Sequence, residues 1–352
     1  MFDMKINSLT SILLYFVVLC FLNSCAVQDS KYYGAKENPK IKVIGGGEDY
    51  TRILNPRQNT FYVGNKREFL IALSSIKPSQ TIYISDKAEI DLSGLEEIKI
   101  PLNITIASGR GRNGSKGALL YTRELKTFPL FITDGSESRI TGIRFQGPDT
   151  LRRTSQMKQL FNEDKYYSIP NSIGIQIEHN NIEIDNCELY GWSHSAVYIK
   201  SSALGNYIHH NYIHHNQREG LGYGITIRKG DALIEANTFD WNRHHIAGSG
   251  FKECSYEACY NIVLPNSSSH AFDMHGGKDR KDGTSTAGGS IKIHHNTFYT
   301  EKYKSIIIRG VPNQEVEIYN NTFKADSSKS IEQKNASGKM KIYNNKFSAK
   351  FN

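Results

Sequence analysis

Seven times this chain repeats the pattern aliphatic-x-x-Asn-x-apolar, with the asparagines at 186, 211, 237, 261, 296, 321 and 345. Five of the six spacings are 24 to 26 residues, and the exception, from 261 to 296, is 35. A fixed period of this size built from short β-rich units is the mark of a solenoid, whose core forms only when successive units stack. Asn tolerates left-handed backbone at a corner, and its amide can bond the Asn of the rung above and below. The expected fold is therefore all-β: a parallel β-helix with rungs of about 25 residues. The period also works as a ruler, because it sorts residues into columns along the coil.

Residues 1–24 read as an export signal. Lys5 precedes an apolar stretch from Ile12 to Leu22, too short for an ordinary spanning helix. It ends in Leu22-Asn23-Ser24-Cys25, which resembles the lipobox of bacterial lipoproteins, and the resemblance implies lipidation of Cys25. The other reading is an ordinary secretory signal with an incidental Cys. Residues 25–57 are polar and are expected to act as a tether, with the β-helix catalytic domain spanning 58–352. The expected location is the cell envelope, lipid-anchored at the outer membrane, cell surface or periplasm. Of the five cysteines, Cys254 and Cys259 are close enough in sequence to pair, and Cys187 fills an apolar slot. None has metal-ligand spacing. The net charge is +8, and the signal leaves it unchanged because Asp3 offsets Lys5. On an exported protein this excess points to an anionic partner, an acidic polysaccharide before nucleic acid, for which no binding motif is present. A monomer is expected.

Asn65 followed by Lys66-Arg67-Glu68-Phe69-Leu70-Ile71-Ala72-Leu73 predicts a short capped helix. Strand-like runs follow at 81–84, 98–100, 102–106 and 140–145. This opening resembles that of right-handed parallel β-helix proteins of the pectate-lyase type, in which a small helix caps the first rung; the resemblance implies a fold, not one activity. The polar segment 149–171 lacks the repeat and is expected to be a long loop, able to wall a groove.

A second strand follows each Asn strand, at 196–200, 224–228, 245–249, 271–275, 305–309 and 330–334. Positions two and four carry the apolar residues and should face inward, with Gln333 the exception; one, three and five should face out. The fifth column reads Lys200, Arg228, Ser249, His275, Arg309 and Lys334, a stripe suited to a linear polyanion. Solvent-facing strand positions often carry Lys and Arg for other reasons, so the stripe is weighed together with its neighbours. Tyr223, His244 and His270 stack just before this strand. His245 and His275 flank the small residues Ala247, Ser249 and Gly250, a depression of the kind a sugar subsite needs. The ten-residue excess of the 261–296 interval falls in Lys278-Asp279-Arg280-Lys281-Asp282-Gly283, which suggests a loop overhanging the site. The histidines of the Ile-His-His-Asn turns (His209, His210, His294, His295), with His214 and His215, read instead as corner residues, and His179 and His194 stay ambiguous.

The run His270-Ala271-Phe272-Asp273-Met274-His275 resembles the Tyr-Gly-Phe-Asp-Pro-His motif of mannuronan C5-epimerases, matching at Phe272, Asp273 and His275 and departing at His270 and Met274. In that family His and Tyr exchange the C5 proton, the first step that epimerases share with uronate lyases. The candidate catalytic residues are His275, His245, Tyr223, Arg243 and His270. Lys200, Arg228, Lys229, Asp273, Arg309 and Lys334 are the candidate substrate-binding residues. An Arg fork (Arg243 or Arg228) or Lys229 would neutralise a uronate carboxylate, a neutral His245 or His275 would take the proton, and Tyr223 or His270 would protonate the departing oxygen. No cofactor is expected; a Ca²⁺ site is not indicated, because Asp231, Asp240 and Asp273 do not gather. The expected function is a lyase acting on a uronic-acid polysaccharide, alginate-like or a glycosaminoglycan of the chondroitin or hyaluronan kind. A uronan C5-epimerase comes second, then a β-helix glycoside hydrolase and a non-catalytic glycan-binding β-helix.

Overall fold

A computed structural model describes residues 32–37, 43–57, 59–165, 167–334 and 339–350. The signal sequence and Cys25 lie outside the described residues; Tyr32–Asn352 forms one compact unit. Strands of two to seven residues stack into three wholly parallel sheets. Sheet A has 11 strands, from Phe61–Val63 to Met340–Tyr343; sheet B has 9, from Glu89–Asp91 to Thr322–Phe323; sheet C has 9, from Ile98–Ile100 to Ile331–Gln333. Each turn of chain runs through A, B and C, so the molecule is the expected parallel β-helix. Among the described residues no helix is long and apolar enough to cross a membrane.

The Asn ladder lies inside the corner between sheets A and B. Each amide passes a hydrogen bond to the next: Asn211 to Asn237 at 3.0 Å, Asn237 to Asn261 at 3.1 Å, Asn261 to Asn296 at 2.9 Å, then Asn321 and Asn345 at 3.0 Å. Two expectations change here. The left-handed residue is the one before the ladder Asn (His210, Ala236, Tyr260, His295, Asn320, Asn344), so the ladder side chain turns inward while its neighbour makes the corner. In the first rung Asn186 is itself left-handed and Cys187 fills the ladder slot, its N–H donating to Asn211 Oδ1 at 2.9 Å. A second, shorter ladder, Asn216 to Asn242 at 2.8 Å, lies at the exit from sheet B. Inside, aromatic rings stack rung on rung, as in Phe298–Phe323 at 4.8 Å and Phe323–Phe347 at 5.1 Å.

Helix α1 (Lys66–Ser75) is capped by Asn65, whose side chain accepts from the Glu68 N–H, and it buries Phe69, Ala72 and Leu73 over the first rungs. The run expected at 102–106 is a strand at Thr105–Ala107. The run at 140–145 splits into Arg139–Thr141 and Arg144–Gln146, because Gly142 turns the corner with φ +70°. The segment 149–171, expected as a loop, contains α2 (Thr154–Asn162). Cys254 is a free, buried thiol and does not pair with Cys259; it packs on Met274 and donates to the Ile227 carbonyl.

The described part of 25–57 departs from the expected free tether. It lies along the A–B corner and runs against the direction of the coil. Gly34 donates to Asn320 O, Gly45 to Ala236 O and Gly47 to Asn186 Oδ1. The Tyr50 hydroxyl donates to Asp185 at 2.7 Å, and Arg52 pairs with Glu183. Glycine is required here: a Cβ on Gly46 would lie 2.3 Å from the His210 carbonyl oxygen.

Candidate functional site

Sheet C carries the cluster. Its rungs stay in the register read from the sequence: Tyr198, Thr226, Ala247, Asp273, Ile307 and Glu332 lie side by side, with Val197 and Ile199 and their equivalents facing the core. The first column breaks the alternation. Ala196, His245, Ala271, Ser305 and Ser330 are all fully buried rather than exposed. At the cluster the N–H groups of His245 and Ile246 both reach the Ala271 carbonyl, a local kink that turns two successive residues inward.

His245 is therefore a core residue and not a catalytic one. Its Nδ1 meets Asn242 at 2.9 Å, its Nε2 meets Ser267 Oγ at 2.7 Å, and burial lowers it to about 3. Its neighbour His244 takes the outward place. Tyr223, His244 and His270 stack as expected, with centroids 5.6 and 6.0 Å apart. The His244 Nδ1 lies 2.5 Å from the His270 carbonyl oxygen, which can only accept, so Nδ1 carries the proton. Burial, reinforced by Arg243, pulls this imidazole well below its usual range, leaving Nε2 as a lone pair 3.3 Å from Asp273 Oδ2.

Asp273 organises the rung. It is fully buried, and the Arg309 fork embraces it, Nε to Oδ1 at 2.7 Å and Nη2 to Oδ2. His275 Nε2 lies 3.5 Å from Oδ2. Burial alone would raise the Asp273 carboxyl, but the hydrogen bond from His275 and the Arg309 guanidinium outweigh it and hold it well below the usual carboxylate range. This corrects two assignments. Asp273 does not meet a substrate, and Arg309 is committed to Asp273 and, at 3.3 Å, to Asp279. His275, by contrast, is about a quarter exposed. With Nε2 turned toward Asp273, its Nδ1 is the nitrogen that can face a ligand.

Arg243 follows the corner at Asn242 and is half-buried beside Tyr223, its guanidinium 6.0 Å from the ring centre. Its Nε and Nη1 are buried and have no hydrogen-bond partner among the described residues; the same holds for His270 Nδ1. The Tyr223 hydroxyl donates weakly to the Gly220 carbonyl at 3.3 Å. Burial raises its pKa; Arg243 opposes the rise and Asp273 adds to it, so the phenol is protonated at neutral pH. A cleft of about 450 Å³ opens over Arg243 and Gly220, walled by Met157, Lys158, Phe161 and Asn162 of α2. The insertion 149–171 is thus a wall, as expected. A buried pair fixes it: Arg218 forks onto Asp149 Oδ2 at 2.6 and 3.1 Å, and Arg153 joins at 2.9 Å.

The basic column is present but partly spent. Lys200 pairs with Glu178 at 3.2 Å and Lys334 with Glu332 at 3.4 Å. Arg228, Lys229 and Arg280 gather around the Phe251 ring at 6.0, 5.1 and 5.1 Å. The insertion after His275 forms α3 (Gly277–Arg280) and returns to the site through Asp279 on Arg309 and Arg280 on the Ser249 carbonyl at 2.9 Å. The corner histidines are closed by partners: His209, His214 and His294 each reach a Glu through Nε2 and the next His through Nδ1. The sequence reading missed His244 as a partner of Asp273, the Arg218–Asp149 clasp and the Phe251 platform. An Arg in the Gly-rich run 218–224 was the available sign of the clasp.

His244, Asp273 and His275 each offer one ligand atom within 4.8 Å of the others. The donor set fits a cation poorly, because Arg309 already neutralises both oxygens of the only carboxylate. Residues 132–349 match the family model described as the right-handed beta helix region. No curated protein matches the chain.

Proposed function

Because the chain belongs to the right-handed β-helix family, with the family match spanning most of the coil, we propose that it is a polysaccharide lyase acting on a uronic-acid polymer. The observation that carries the reading is Arg243. Its buried Nε and Nη1 have no hydrogen-bond partner among the described residues, at a cost of roughly 1–3 kcal/mol each. A carboxylate entering the α2 cleft would accept from one of these nitrogens, since Nε and Nη1 present their N–H groups on different edges of the guanidinium.

Such a carboxylate, neutralised by Arg243, makes the adjacent C5 proton acidic enough to remove. His275, oriented by Asp273 through Nε2, takes that proton at Nδ1. The C5–H electron pair becomes the C4–C5 double bond, the C4–O bond breaks, and the Tyr223 hydroxyl gives its proton to the departing oxygen. Arg228 and Lys229 beside Phe251 would bind acidic sugars further along the chain. Residues 1–25 would export the protein and anchor it through Cys25.

A uronan C5-epimerase is the second reading, favoured by Asp273 and His275 matching that family's motif in one rung. It shares the first step but returns a proton to C5 in place of cleavage. Incubation with alginate, pectate, chondroitin, dermatan, hyaluronan and heparan, followed in the ultraviolet, tests both. The lyase produces an absorbing unsaturated end on at least one polymer. Exchange of the C5 proton with solvent deuterium and no absorbance would establish the epimerase. Neither signal on any of the six would overturn the uronate reading for these substrates.

A further inference from the structure

The two ends of the coil are finished differently. At the N-terminal end α1 lays Phe69, Ala72 and Leu73 over the core. At the other end the last strand, Met340–Tyr343, pairs among the described residues only with Glu315–Tyr319. Ile342 stacks on Ile318, an inward residue that is fully buried, yet Ile342 itself is 47% exposed, and Tyr343 is 41% exposed. Phe347 stacks on Phe323 at the same end. A solenoid normally closes its core with a polar terminal cap, and among the described residues none covers this end.

Lysines surround the open end on all three sides. Lys339 and Lys341 flank Met340 in sheet A, Lys346 bridges Thr322 beside sheet B, and Lys334 follows the last strand of sheet C. Between 324 and 350 there are seven lysines against Asp326 and Glu332, a formal +5 for that segment, partly offset where Lys341 pairs with Glu315 and Glu317, Lys346 with Glu37 and Lys324 with Glu301. The chain also enters the described body here: Lys346 Nζ lies 4.1 Å from the Tyr33 ring centre and Lys36 Nζ 5.8 Å from that of Tyr299.

We propose that the open C-terminal end of the coil docks on an anionic lipid bilayer. Ile342, Tyr343 and Phe347 would enter the headgroup boundary, while the lysines lay their stems along the apolar patch and place their ammonium groups on lipid phosphates. A second copy is the poorer occupant, because end-to-end contact would bring two lysine-rich, net-positive surfaces together. The proposal does not depend on the lyase reading: it concerns a different end of the molecule and different residues.

The test uses the full chain and vesicles of phosphatidylcholine, or of an equimolar mixture of phosphatidylcholine and phosphatidylglycerol, in a sedimentation assay. The apolar stretch 12–22 contributes to both, so the readout is the anionic-to-neutral ratio of partition constants. The triple variant Lys339→Ala, Lys341→Ala, Lys350→Ala is expected to lower that ratio roughly 30-fold or more. Raised salt should lower it likewise. A control triple at the capped end, Lys77→Ala, Lys87→Ala, Lys99→Ala, should leave it unchanged. No preference for anionic vesicles, an unaltered ratio in the first triple, or an equal loss in the control overturns the proposal. A concentration-dependent dimer abolished by Ile342→Asp, without vesicle binding, would assign the end to a second copy and also overturn it.

Discussion

Two histidine-rich surfaces run along this coil, and they are built on opposite plans. At the A–B corner and on sheet B, His209, His214 and His294 are each held at both nitrogens, by a Glu and by a neighbouring His. Beside sheet C, His270 Nδ1 and Arg243 Nε and Nη1 are buried with no hydrogen-bond partner among the described residues, and His275 meets Asp273 on one side only. Composition does not separate the two surfaces. Hydrogen-bond closure does: a fold completes the groups it needs for itself and leaves open the ones that meet something else.

Activity measurements can break this contrast outright. Arg243→Ala and His275→Ala should each lower kcat/KM on the cleaved polymer by about 10³-fold or more, the scale of a lost charge stabiliser or general base. His214→Ala, on the closed surface, should stay within about twofold. Equal losses on both surfaces would remove the distinction. Asp273→Asn should cost about 10²-fold in activity and also lower the melting temperature, because Asn neither balances the largely buried Arg309 nor fixes the His275 tautomer. Tyr223→Phe should cost about 10²-fold, mainly in kcat, if the phenol is the proton donor. A change confined to KM would demote Tyr223 to a binding wall.

The smallest effect sharpens the contrast through pH. His245 is neutral in the fold, with its pKa lowered to about 3, whereas in the unfolded chain it titrates near 6.5. Between those values the unfolded state binds the extra proton, so stability falls as pH drops from about 6.5 toward 3 and is unaffected above it. His245→Gln should flatten the acid limb of the stability curve by up to one proton, about 1.4 kcal/mol per pH unit, with kcat at neutral pH nearly unchanged. An unaltered acid slope in urea titrations would show that His245 is not held neutral.

The fold was legible because its period is enforced by one side chain per rung. Each buried ladder amide must meet another amide, so Asn recurs where the rung recurs. Column assignment by the same ruler held for the inward positions two and four and for the fifth column of the sheet C strands, whereas in the third column Ala247, Asp273 and Ile307 are buried. It failed at position one, where the kink at the Ala271 carbonyl turns His245 inward and gives His244 the outward place. Alternation counts residues and cannot register a bulge. The Arg309–Asp273 fork was equally hidden, since it joins residues 36 apart that only stacking brings together. The helix within 149–171 escaped because its propensity is modest and its support is tertiary, the Arg218–Asp149 pair 69 residues away.

The N-terminal strap carries a consequence for the order in which the molecule can be assembled. Ala35 donates to Thr297 Oγ1 across 262 residues of sequence, and Gly34 reaches further, to Asn320. Rungs can add one after another from α1 onward, each on a finished neighbour, by contacts that are local in the chain. The first residues of the strap, Gly34 and Ala35, have no seat until the last rungs exist. An early-synthesised stretch therefore docks late, and its closure carries the long-range loop entropy that rung stacking avoids.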